Sequence, residues 1–468
     1  MRKQFLVSSL SLLVLLATVS AQQSATKPAA KQPTKTQNSQ AAPAALPIVV
    51  RGGKVMTVTH GTIENGVVVM ENGKITAVGA ASSVTIPKGA KIVDATGMTV
   101  YPGLIDSFSH LGLTEIGAVD MSNDLQETSD EIMPHMHVSD AFHAESEVIP
   151  VTRLNGITDA IVAPETGDTL PGQMAFAQLD GRDSDDMLKI KDIAMQLNFS
   201  GEQRRNRGGF QNSRFPATRM GLAAQLRQAF IDTQDYATKW ADYEKKSSGS
   251  EDKKDAKSED KKDEKKSPPS PPKRDLKYEA LVPYVQGKKP IMLCASEPSD
   301  VKTALRLASE FKLKVILCNL EYAEKLFDEI AATKYPVILG SIYDFPKSNE
   351  RYDAQYKVPG ELAKRGIKIA FASWDAHQSR NLPYAAGYAV AFGLPYDEAI
   401  KALTINPAEI WGIADQYGSL DVGKVANVVI ANGDPLDVKT DVKQVFIAGR
   451  EIPMVSRQTQ LRDAYMKK

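Results

Sequence analysis

The stretch from residue 290 to residue 372 constrains the fold more than any other. Residues 290–295 read as a buried strand, and 301–311 follow as a helix with Leu305 and Leu307 among its apolar residues. Residues 314–318 read as a strand, 321–332 as a helix, and 336–339 and 367–372 as two further strands. Strands that alternate with helices build a parallel sheet, wound or closed by right-handed crossovers. Upstream, 156–162, 170–179 and 187–197 are the remaining strand candidates. Residues 217–245 read as an amphipathic helix carrying Leu222, Leu226, Phe230, Ile231 and Trp240. The tract 245–274 is packed with Lys, Asp, Glu and Ser and ends in a Ser/Pro-rich stretch. It has no core-forming residues and is expected as a disordered insertion.

The two ends of the chain read differently. Residues 48–58, 66–70, 74–78 and 91–94 are short β-branched runs, with Asn72-Gly73 placed for a hairpin turn. Residues 425–431 and 442–447 are two more strands near the carboxyl end. Residues 1–21 have a basic start at Arg2 and Lys3, an apolar run, and the small residues Val19-Ser20-Ala21, the pattern of a cleavable export signal. Residues 22–46 are rich in Ala, Gln, Pro, Lys and Thr and are expected as a disordered linker. The expected location is therefore the periplasm or the outside of the cell. No later segment is long and apolar enough to span a bilayer.

The 468 residues balance 57 Lys plus Arg against 57 Asp plus Glu, so nothing in the charge favours a nucleic-acid partner or an anionic membrane surface. The expected partner is a small-molecule substrate or ligand, with an oligomer left open. Only two cysteines, Cys294 and Cys318, are present, too few for a disulfide framework.

Residues 101–112 read YPGLIDSFSHLG. An apolar strand runs into Pro-Gly, then Leu104-Ile105-Asp106, then a polar end with His110. This closely resembles the PGLID-x-H-x-H signature of the amidohydrolase superfamily, with Phe108 at the position of the first histidine. Residues 418–424, GSLDVGK, resemble the segment by which that family leaves its barrel, with Asn427 replacing the usual aspartate. Within the superfamily the resemblance is to the imidazolonepropionase-like and related branch. It implies a (β/α)8 TIM-like barrel over 102–414, beside a small β-sandwich built from 47–101 and 415–468. The implied activity is hydrolysis of a non-peptide C–N bond in a cyclic amide or similar small molecule.

The family collects metal ligands at the carboxyl ends of barrel strands, where the metal lowers the pKa of a bound water to about 7. Carried over residue by residue, the resemblance puts His110 on the first strand, Cys294 on the fifth, Cys318 on the sixth and Asp375 on the eighth. Three readings stay open for this set. In one, His110, Cys294, Cys318 and Asp375 form a rebuilt site for one divalent metal, zinc by preference. In another, the cysteines are bridged on neighbouring strands. In the third, they are small buried apolar residues and no metal is held. Asp375 and His377 are the acid–base candidates. Arg380, at the start of the last barrel helix, is a candidate for a substrate carboxylate. His135-Met136-His137 sits after Pro134 in a loop, so His135 is read as a substrate-loop residue. A catalytically inactive barrel kept for binding or as a scaffold is the alternative function.

Overall fold

The computed structural model describes residues 46–200, 215–248, 270–320, 323–344 and 351–467. The expected export signal, all of the linker but its last residue, and most of the charged insertion lie outside the described residues. The chain enters the fold through β1 (Ile48–Met56), β2 (Thr62–Glu71), β3 (Lys74–Ala80), β4 (Lys91–Asp94) and β5 (Thr99–Pro102). β2 and β3 form the hairpin that the sequence marks, with Glu71 opposite Lys74. Asn72 and Gly73 both take positive φ, 50° and 79°, the twist that suits a two-residue connection between right-twisted strands. β1 pairs with β4 through Ile48–Arg51 and with β5 through Lys54 and Val55. Gly52 makes the bend between these halves. Its φ is +84°, and a Cβ there would lie 2.6 Å from the Thr96 hydroxyl.

The barrel follows, in the order β6 (Leu104–Ser109), α1 (Val148–Arg153), β7 (Ile157–Val162), β8 (Gly172–Gln178), α2 (Ser184–Met187) and β9 (Leu188–Asn198). Next come α3 (Arg219–Ser248), α4 (Leu276–Val285), β10 (Pro290–Cys294), α5 (Pro298–Glu310), β11 (Lys314–Cys318), α6 (Phe327–Thr333) and β12 (Val337–Ile338). Then come α7 (Ala354–Lys364), β13 (Ile369–Ala370), α8 (Leu382–Ala391), α9 (Tyr396–Leu403) and α10 (Ile405–Ile410). The eight strands lie side by side in chain order. The seam between β6 and β13 is closed by backbone bonds from Ser107 to the Phe371 carbonyl, 3.2 Å, and from Trp374 to the Phe108 carbonyl, 3.1 Å.

One feature corrects the expected (β/α)8 pattern. β8 runs antiparallel to both β7 and β9, while the other neighbouring pairs are parallel. The cause is connection length. Parallel neighbours need a crossover of about a dozen residues or more. The links 163–171 and 179–187 are shorter, and the second contains only the single turn of α2. The loop after β6 instead pairs alongside the start of β8, through isolated parallel bridges Ile132–Leu170 and His137–Gln173.

β14 (Val428–Ala431), β15 (Val442–Ile447), β16 (Arg450–Ile452) and α11 (Arg457–Met466) end the described chain. β14 pairs with β5, so both chain ends build one sheet, ordered β16-β15-β14-β5-β1-β2-β3 with β4 beside β1. The expected two-layer sandwich is thus one continuous hydrogen-bonded sheet curled over Val50, Val68, Met70, Ile75, Val100, Val428, Ile430 and Phe446. Two further cores serve the barrel. The outer one packs strands against helices. The inner one fills the lumen with Ile105, Phe108, Met174, Phe176, Met292, Ile316, Ile338 and Trp411, the latter arriving just after α10.

Candidate functional site

The carboxyl ends of the barrel strands form the mouth, the face on which barrel enzymes place their chemistry. β10 and β11 are in register, so Cys294 lies opposite Cys318. Their Cα atoms are 4.5 Å apart and their sulfurs are bonded as a disulfide. Both cysteines are buried in the lumen core. Phe108 projects from β6 into the same core, fully buried. Trp374 takes a positive φ of 59°, a conformation that bulky side chains rarely adopt and that marks a local constraint. Its indole stacks on Phe108 with centroids 4.2 Å apart and donates from Nε1 to the Leu339 carbonyl at 2.7 Å. The rings and the disulfide are all part of the packed top of the lumen.

His110 continues β6 and is also buried. Its ring packs edge-on to Phe108, Nδ1 lies 2.9 Å from the Ala163 carbonyl, and Nε2 lies 3.8 Å from the Glu165 carboxylate. Beside it the end of β9 contributes Gln196 and Asn198. Gln196 Nε2 donates to the Glu165 carbonyl and to Asn198 Oδ1, and Asn198 Nδ2 donates to the Asp168 carbonyl. His110, Glu165, Gln196 and Asn198 therefore form a polar shelf on one side of the mouth. His110, Gln196 and Asn198 are buried and bonded within the shelf, and Glu165 is its half-exposed member.

Asp375 does not join them. Its carboxylate accepts the backbone N–H groups of His377 and Gln378, so it shapes the loop after β13. His377 is exposed on that loop. Arg380 donates to Gln458 Oε1 at 3.1 Å, outside the barrel. His135 is half-buried in the loop before β7, where burial, more than the neighbouring Lys277, holds its pKa below the ordinary histidine value.

Of the three readings left open for the cysteines, the bond between their sulfurs is the bridged one. Sulfurs joined in a disulfide are not thiolate ligands, the Phe108 ring has no donor atom, and the Asp375 carboxylate is engaged by backbone amides. Among the described residues, no group of three His, Cys, Asp or Glu side chains is arranged to hold a metal ion.

Two buried acids matter that the sequence did not mark as site residues. Asp106 is fully buried, and desolvation pushes its pKa up to about 6 against opposing hydrogen bonds from Ser373, Ser379 and Phe108. Ser379 donates to Asp106 Oδ2 at 2.7 Å and lies 2.8 Å from the Ser109 hydroxyl, so the group ties β6 to the loop after β13 across the seam. Asp159 is buried at the opposite end of the barrel. Its Oδ2 accepts from Thr158 Oγ1 at 2.6 Å and Asn427 Nδ2 at 2.8 Å, while Oδ1 has no hydrogen-bond partner. Burial pushes Asp159 up to about 7. An acid inside the apolar run 157–162 was the available signal for it.

Similarity to known proteins places the fold. Residues 301–452 match the amidohydrolase family. The crystal structure of an amidohydrolase from Thermotoga maritima MSB8 aligns with a TM-score of 0.74 at 26% identity, over 88% of this chain and 100% of that chain. The amidohydrolase tasK of Hapsidospora irregularis is 24% identical over 405 residues, which are 82% of this chain but 39% of that relative's length. The structure of a molinate hydrolase shares the fold, with a TM-score of 0.51 at 14% identity over 88% of this chain and 95% of its own. This chain belongs to the amidohydrolase superfamily.

Proposed function

We propose that this chain is an exported, small-molecule-binding member of its superfamily, in which the barrel lumen no longer supports metal-dependent hydrolysis. One observation carries the reading. The strand ends that the family resemblance assigns to metal ligands hold a phenylalanine and a disulfide, and the Phe108 ring is stacked under Trp374. Export is supported by the amino-terminal pattern and by the disulfide, a bond that persists in oxidising compartments. At the mouth, Glu165 is the member of the polar shelf that solvent reaches, and it supports binding there.

A second reading keeps hydrolysis of non-peptide C–N bonds in cyclic-amide-like substrates. Membership in the superfamily favours it, as does the approach of His110 to Glu165. Metal content by elemental mass spectrometry, on mature protein prepared without chelators, separates the two. Negligible metal together with no turnover of a hydantoin, lactam and N-acyl panel is the expected result. About one equivalent of zinc, with turnover lost on chelation, would establish hydrolysis and overturn the binding-protein reading.

A further inference from the structure

On the same rim as the mouth, outside the lumen, two clefts abut. The first has a volume of about 580 Å3. Tyr343, from the loop after β12, and Tyr384 and Tyr388, from α8, give it three aromatic walls, and Leu436 and Val438 of the β14–β15 loop face them. Gly387 allows this approach, because a Cβ there would sit 2.6 Å from the Leu436 carbonyl oxygen. Two of the phenols are committed to the scaffold: Tyr343 donates to the Asn381 carbonyl at 3.1 Å and Tyr384 to Asn155 Oδ1 at 3.4 Å. Tyr388 is 51% exposed, with Tyr343 perpendicular to its ring at 6.0 Å and Tyr356 stacked on it at 5.8 Å, so the exposed part of the ring is what the cleft offers.

The second cleft, about 350 Å3, shares Asn381 and Tyr384 with the first. Its lining contains Arg380 and Arg462 and no acidic side chain. Arg380 spends one N–H on the neutral Gln458, and Arg462 pairs with its exposed neighbour Asp463. The two clefts together therefore offer a largely apolar aromatic slot, edged by Asp437, at one end, and at the other the Arg380 guanidinium, bonded only to a neutral amide, beside the Arg462–Asp463 pair. Both volumes fall within the range of small-molecule sites.

We propose that the joined clefts bind a small aromatic carboxylate. The ring lies against Tyr388 between Tyr343 and Leu436–Val438, where edge and face contacts between rings add to the burial of apolar surface. The carboxylate reaches Arg380, whose planar guanidinium matches carboxylate geometry and bonds it more strongly than a neutral donor would. The proposal goes beyond the reading above and stands apart from it, because it uses no residue of the lumen or the shelf. Metal content and hydrolysis therefore decide the earlier reading without touching this one.

The test is calorimetric titration of the full mature chain with 3-phenylpropionate and with its uncharged analogue 3-phenylpropionamide. The carboxylate is expected to bind about tenfold or more tightly than the amide. Arg380→Gln should bring the acid to the amide's affinity and leave the amide unchanged. Tyr388→Ala should weaken both ligands about tenfold or more. Far-UV circular dichroism and thermal unfolding establish that each variant is folded. Should Tyr388→Ala not fold, Val438→Asp, on an exposed position of the opposite wall, takes its place with the same expected loss. Equal affinity for acid and amide, heats indistinguishable from dilution for both, or binding unaltered by Arg380→Gln would each overturn the proposal.

Discussion

Asp159 is the most informative single position for testing the physical account of this barrel. Its carboxyl is raised from 3.8 to about 7, chiefly by desolvation, although Thr158 and Asn427 both stabilise the charged form. A shift of about three pK units, at about 1.36 kcal/mol each, corresponds to a ceiling of about 4 kcal/mol. The sign follows from proton binding. Between about pH 4 and pH 7 the folded chain holds a proton on Asp159 that the unfolded chain has lost, so stability falls as pH rises through that window and is level above it. Asp159→Asn keeps the shape and removes the titration. Its oxygen can accept from Thr158 and Asn427, and its amide then occupies the unpartnered Oδ1 position, at a cost of about 1–3 kcal/mol. The variant should therefore match or fall below the parent at pH 4.5 and exceed it by about 1–3 kcal/mol at pH 8. Urea unfolding followed by tryptophan fluorescence at both pH values, with the disulfide intact, reads the difference. Parallel pH dependences for parent and variant would refute the claim that a buried, incompletely bonded carboxylate sits here.

Other positions give sharper yes-or-no outcomes. The disulfide spans 24 residues, and loop-closure entropy puts the loss in Cys294→Ala/Cys318→Ala at about 3 kcal/mol; a thermal midpoint equal to that of the oxidised parent would contradict it. Gly103→Ala would place a Cβ 1.9 Å from Thr158 Oγ1, in the packed start of β6, and should cost about 1–3 kcal/mol by overpacking, measured by urea unfolding. Ser379→Ala removes the hydroxyl that joins Asp106 to Ser109 and Ser373, and should lower stability by about 1–3 kcal/mol. The same variant should raise the Asp106 pKa further above about 6, because the lost bond favoured the charged form, and carboxyl NMR titration would show it.

Much of this fold is written locally. Residues 290–372 carry strand and helix patterns that alternate at short range, and β10, β11 and α5 lie within a residue or a few of where they read. Asn72-Gly73 declares its hairpin because that turn requires positive φ at both positions. The direction of β8 is not written in that way: alternation distinguishes a strand from a helix, not a parallel strand from a reversed one. The site was less legible for the same kind of reason. Thiolate ligands, a bridge and a pair of buried apolar residues all begin as two cysteines, and only the register of β10 on β11 separates them. Trp374 gave no sign of its left-handed backbone, which is needed to bring its ring onto Phe108. Tyr343, Tyr388 and Val438 meet across three separate loops and helices, so no spacing in the sequence joins them.

The reversed strand also bears on how the barrel can assemble. Val162 meets Ala175 across a tight connection, whereas the closing contact between Asp106 and Ser373 joins residues 267 positions apart. Loop closure over the longer span costs about 3 kcal/mol more entropy. An up-and-down meander of β7, β8 and β9 can thus form early from its own neighbours, without waiting for a crossover helix to dock. The first strand must stay open-edged until the last one arrives. Native-state hydrogen exchange should then find the most protected amides in the meander, and the first to open along the β6–β13 seam.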